Sequence, residues 1–154
     1  MTPLRISGLA CPWNKSNSYN ELIRPGAFSA YLREHSHIPM KFMHEVPCGV
    51  WDSVKETDRG LVVSGLITNP TFARLVTDTR EFRELSISYN DTDKLRTPLR
   101  INSYGIALPL PLMELEAASQ GYRVVDHQNV ARAGLDEISI VDSGAFPGTY
   151  LTID

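Results

Sequence analysis

The segment Val50–Thr68 constrains the fold more than any other part of the chain. Val50-Trp51-Asp52-Ser53-Val54-Lys55 mixes apolar and polar residues over a strand's length, Thr57-Asp58-Arg59-Gly60 follows, and Leu61–Thr68, rich in Leu, Val and Ile, is a second such run. A period of two sends successive side chains to opposite faces, and a polar, glycine-ended turn between two such runs specifies an antiparallel hairpin. An isolated hairpin is marginal in water, so further strands must flank it. The chain offers them: Pro3–Ala10, Tyr19–Ile23, Ile38–Met43, Phe82–Tyr89, Leu135–Asp142 and Tyr150–Ile153 all read as short strands.

Helical patterns are fewer. Ala27–Glu34 places Phe28, Tyr31 and Leu32 on one face. A second helix opens at Asn69-Pro70, with Asn69 as N-cap and Pro70 in the first turn, and Phe72, Leu75 and Val76 carry it to about Thr79. Asn90–Arg100, rich in Asp, Thr and Lys, reads as irregular. Pro109 and Pro111 reduce the apolar run Ile106–Leu112 to loop or edge strand. Met113–Ser119 reads as a short helix, and Val124–Ala131 carries no decisive pattern. The expected class is mainly β with peripheral helices (α+β), in a barrel or sandwich.

A chain of 154 residues suits one domain, 1–154, and at 42% hydrophobic residues it can bury a core without disulfides or a structural metal. A net charge of −3 argues against a dedicated nucleic-acid or acidic-membrane binder. Cys11 and Cys48 are the two cysteines, too few for a disulfide framework. They are expected to be reduced. There is no signal-peptide pattern at the N-terminus and no apolar stretch of membrane-spanning length, so a cytoplasmic setting is expected.

Four histidines narrow the chemistry: His35, His37, His44 and His127. His44 ends the apolar run Met40–Met43, a place that holds a general base firmly yet leaves it reachable. His35, His37 and His44 with Glu45 offer a metal-ligand pattern, but His35-Ser36-His37 reads better as a solvated loop. In Glu84–Tyr89, alternation puts Leu85, Ile87 and Tyr89 on one face and Glu84, Ser86 and Ser88 on the other. Either serine is a nucleophile only beside a base, and otherwise simply a polar face. Glu137 and Ser139 share a face of the Leu135–Asp142 strand, where a carboxylate can orient a histidine. Cys48, in the turn-like Val46-Pro47-Cys48-Gly49, reads as a small apolar filler rather than a nucleophile.

Five segments in this order resemble the phage prohead protease family, whose fold is related to the herpesvirus capsid maturation protease. Asn20–Phe28 is similar to the family's "E-x-I-x-P-G-A-F" element. Met43-His44-Glu45 followed by Cys48-Gly49 is similar to its "N-H-D…x-G" element, which carries the base. Asp58–Gly65 is similar to "D-x-G-L-x-V-x-G". Leu85–Tyr89 is similar to "L-S-I-G-F", which carries the nucleophile, and Leu135–Val141 to "L-x-E-V-S-L-V". Glu45, Ser88-Tyr89 and Gly144-Ala145 depart from the family pattern, and the stretch from Asn90 to Gly134 is long for it.

The resemblance implies a closed or nearly closed antiparallel β-barrel of the herpesvirus-protease type. It implies a serine endopeptidase with Ser86 as nucleophile, His44 as base and Glu137 as third member, with Asp136, Asp142 and His127 as alternatives to Glu137. Backbone N–H groups are the expected oxyanion donors. The implied substrates are scaffold and major capsid protein segments, and the chain itself. No cofactor, metal, nucleic acid or membrane is required, a homo-oligomer is expected, and the setting is the assembling prohead in the host cytoplasm. The rival readings are a non-catalytic assembly protein on the same barrel and a metal-dependent hydrolase using His35, His37 and His44.

Overall fold

The computed structural model describes residues 3–101, 107–108 and 123–154, with the backbone alone over 91–101, 107–108 and 123–128. The elements, in chain order, are β1 (Leu4–Pro12), β2 (Glu21–Ile23), α1 (Ser29–Glu34), β3 (Pro39–Phe42), β4 (Val46–Glu56), β5 (Gly60–Ile67), α2 (Pro70–Asp78), β6 (Glu84–Ile101), β7 (Ala107–Leu108), β8 (Arg123–Val141) and β9 (Tyr150–Ile153). Among the described residues, nine strands form one sheet in the order β7-β6-β8-β3-β4-β5-β1-β9, with β2 also pairing β8. The sheet curls into a half-barrel. Its far strand approaches the front one, where Leu151 N–H donates to the Arg83 carbonyl at 2.8 Å.

The hairpin β4–β5 forms as the two runs and the turn between them predict, pairing Val54 with Val63 and Glu56 with Leu61. Gly60 closes the turn at φ +145°, and a Cβ there would stand 2.2 Å from the Cys11 carbonyl oxygen, so only glycine lets β1 run this close. Inward residues of β5 are buried: Leu61, Val63 and Ile67. Trp51 lies across Gly65 on the neighbouring strand, and its indole N–H donates to the Ile138 carbonyl at 3.1 Å. That bond supports β8 from the core side.

Most strand pairs are antiparallel, but β3 and β2 both run parallel to β8. The sheet is therefore mixed rather than wholly antiparallel. The irregular reading of Asn90–Arg100 gives way to a longer β6, which pairs β8 through Ile101 across register shifts at Ser88/Tyr89, Asp91/Asp93 and Asp93/Lys94. Those shifts break the alternation that marks a strand in sequence. Ala107–Leu108 is a short edge strand; the rest of Ile106–Leu112 and the Met113–Ser119 helix lie outside the described residues.

Helix α1 starts at Ser29, two residues later than the pattern suggests. Arg24–Ser29 first makes turns, and Glu56 from β4 then receives the Phe28 N–H at 3.1 Å and the Ser29 hydroxyl. Helix α2 begins as expected: the Asn69 side chain accepts from Thr71 N–H at 3.0 Å, and Pro70 fills the first turn. Its Phe72 ring lies 4.6 Å from that of Phe42, which also meets Phe82 at 4.7 Å. This cluster anchors the end of β3. Asn69→Ala is expected to remove about 1 kcal/mol of stability in chemical denaturation, and Asn69→Asp to retain it.

Candidate active site

Three neighbouring strands supply the site. β8 lies between β6 and β3, pairing Ser86 with Ser139, Ser88 with Glu137, and Lys41 with Ser139. On the other face of the same strands Leu85, Ile138, Ile140 and Met40 are buried in the core. Alternation thus turns Ser86, Glu137 and Ser139 to the outer face. Ser86 (8% exposed), Glu137 (5%) and Ser139 (0%) are nonetheless buried, so neither strand presents an ordinary solvated face here.

His44 arrives from the turn Met43–Glu45 between β3 and β4. Its φ is +62° and that of Met43 is +52°, a left-handed conformation that non-glycine residues keep only when their surroundings impose it. The imposing contacts are visible. Met43 N–H donates to the Ile140 carbonyl at 2.9 Å, His44 N–H to the Ser139 hydroxyl at 3.1 Å, and Glu45 N–H to the Phe42 carbonyl at 3.1 Å. The turn is held against β8, and the imidazole lies across the strand.

There His44 Nε2 stands 3.0 Å from Ser86 Oγ, while Nδ1 meets Glu137 Oε1. A carboxylate only accepts, so Nδ1 carries the proton and the Nε2 lone pair faces the serine hydroxyl. Glu137 Oε2 accepts from the Ser139 hydroxyl, so both carboxylate oxygens are engaged. A carboxylate this buried requires such partners. The His44 side chain is 42% exposed against 6% for Glu137, so the imidazole is reachable from solvent and the carboxylate is not. Such an arrangement can take a proton from Ser86 and hold the resulting positive charge.

Asp136 and Asp142 are not brought in. Asp136 falls at the register shift between the pairs Ser88–Glu137 and Tyr89–Leu135, which leaves it without a cross-strand partner. Its exposed carboxylate accepts from Asn90 Nδ2 at 3.2 Å. Asp142 is exposed beyond the end of β8, and the His127 side chain lies outside the described residues. His35 Nδ1–H donates to the Tyr31 carbonyl at 3.0 Å, with its ring stacked on that tyrosine. The length of β3 separates His35 and His37 from His44, about 13 Å of strand. Among the described residues no cluster of three or more His, Cys, Asp or Glu is placed to hold a metal. The three-histidine metal reading is therefore corrected: the fold does not gather its ligands.

Residues 2–102 match the family model described as caudovirus prohead serine protease. The chain belongs to that family. The matched residues include His44 and Ser86 and end before Glu137. Over 67 residues, 41% of the chain, this family member is 38% identical to the prohead protease of Enterobacteria phage HK97. It spans 30% of that relative's length. The structure is also similar to that of the KSHV protease solved in complex with a hexapeptide phosphonate inhibitor, with a TM-score of 0.54 at 17% identity. That likeness covers 99% of this chain and 65% of the other, and shows that the two share a fold. The mainly β, herpesvirus-protease-like architecture expected from the sequence is the one observed.

Cys48 lies buried in the hydrophobic core of this family member, and burial pushes its thiol up to about 12. At pH 8 the thiol therefore stays protonated, and a thiol without its thiolate is a poor nucleophile. Iodoacetamide at pH 8 is expected to leave Cys48 unmodified in the native protein and to alkylate it after unfolding, as peptide mass mapping would show.

Proposed function

We propose that this chain is a serine endopeptidase of phage capsid maturation. What carries the reading is the chain of contacts from Glu137 through His44 to Ser86 Oγ, the last at 3.0 Å. Ser86 Oγ attacks a peptide carbonyl while His44 Nε2 takes its proton. His44 then delivers that proton to the leaving amine, and an acyl-enzyme forms on Ser86. A water molecule, deprotonated by the same imidazole, attacks the acyl carbon, and the carboxylic acid leaves as the serine recovers its proton. Glu137 holds the Nδ1–H tautomer and offsets the imidazolium charge. Backbone N–H groups serve the oxyanion.

Family membership supports the proteolytic class. The proposed substrates are segments of the scaffold and the major capsid protein, with self-cleavage, inside the assembling prohead in the host. Confinement there raises local concentration, so modest affinity for substrate suffices. Neither a metal nor a cofactor has a part in these steps. No helix among the described residues is long and apolar enough to cross a membrane.

The test is cleavage of the phage scaffold followed on a gel. Ser86→Ala is expected to lower turnover by at least about 10⁴-fold with the fold intact. Ser88→Ala, changed on the same face, is expected to cleave like the parent. A Ser86→Ala protein that cleaves normally contradicts the proposal, and a folded parent that cleaves nothing favours the non-catalytic assembly reading. Glu137→Gln is expected to reduce kcat by about 10⁴-fold, because an amide can present a donor and favours the wrong imidazole tautomer.

A further inference from the structure

Ser139 is fully buried, yet its one hydroxyl is engaged twice. Its oxygen accepts the His44 N–H at 3.1 Å, and its proton goes to Glu137 Oε2. Strand alternation explains why a side chain at this position faces the site, but not why it is polar. An alanine would fit the same place without burying a hydroxyl. The two bonds give the hydroxyl its reason. One seizes the backbone of the base, 95 residues away in sequence, and the other the carboxylate two residues earlier on the same strand.

We infer that Ser139 is a positioning residue, a splint that locks the His44 turn and the Glu137 carboxylate in one mutual orientation. This rests on the proposed roles of Ser86, His44 and Glu137. The terminal torsion of a glutamate is broad, so a carboxylate held only through Oε1 can rotate away from Nδ1. The left-handed turn at His44 is equally dependent. Its N–H has the Ser139 oxygen as partner, and loss of that bond frees the backbone to relax. Ser139 reaches the reaction through His44 and Glu137, so its removal acts on kcat rather than on KM.

The experiment compares the parent, Ser139→Ala, Glu137→Gln, the double variant and Ser86→Ala. Each is read by the low-field proton resonance of His44 Nδ1–H and by kcat and KM for scaffold cleavage. Ser139→Ala is expected to keep the fold, to lose or broaden the resonance, and to lower kcat about ten- to a hundredfold at unchanged KM. In the Glu137→Gln background the same change is expected to cost less than in the parent, because only the hold on the His44 turn is left to lose. An unaltered resonance with unaltered kcat overturns the inference, as does full additivity in the double variant. If Ser139→Ala does not fold, Ser139→Cys, similar in shape but a weaker donor, replaces it on both readouts, with the same criteria. Normal cleavage by Ser86→Ala defeats the serine-protease reading instead, and the resonance still reports independently whether Ser139 holds the pair.

Discussion

The pairing of β6 with β8 sets Leu85 beside Ile140, Ser86 beside Ser139, Ile87 beside Ile138 and Ser88 beside Glu137. Leu85, Ile87, Ile138 and Ile140 all point into the core. Because side chains alternate, a slip of one strand by a single residue would send its apolar set to the outer face and its polar set inward. Burying four such side chains is worth about 6–12 kcal/mol, comparable to the whole stability of a small domain. The core therefore fixes the register, and the register places Ser86 next to the strand that bears Glu137 and Ser139. The site inherits its precision from hydrophobic burial on the opposite face.

His44 is the one member that no strand fixes. It comes from a turn whose backbone is left-handed at Met43 and His44, and that turn is tied to β8 through Ile140 and Ser139. Beneath it, Phe42 is held by Phe72 and Phe82, so α2 and the segment before β6 brace the end of β3. The parallel pairing of β3 with β8 brings the turn to the right edge. An antiparallel β3 would deliver its C-terminal end to the opposite end of β8. The exposed imidazole over a buried carboxylate then follows from the order β6-β8-β3.

Much of the framework was legible in the chain. The polar, glycine-ended turn Thr57–Gly60 between two strand-length runs marks the β4–β5 hairpin, and Asn69-Pro70 marks the start of α2, because both signals are local. The continuation of β6 through Asp91, Asp93 and Lys94 was not, since poor strand formers and register shifts remove the period of two. The helical pattern starts α1 too early because Phe28 is buried ahead of the helix rather than on its face. The parallel pairing of β3 with β8 joins residues nearly a hundred positions apart, and no local pattern encodes it. The site followed the same division. That Glu137 and Ser139 share a face was readable from alternation. Their burial depends on long-range pairing and has no signal in the sequence, while the proximity of His44 is implied by the family resemblance alone. The sequence assigns Ser139 no role, because a hydroxyl that bonds inward has the same sequence signature as one that faces water.

The central claim is that His44 activates Ser86. A fluorophosphonate reports this directly, since it bonds covalently to a serine whose proton a base removes. A single phosphonyl adduct is expected, mapped by mass spectrometry to the peptide bearing Ser86, and lost in a folded His44→Ala protein. An adduct on a different residue, or labelling of Ser86 at the parent rate without His44, would contradict it.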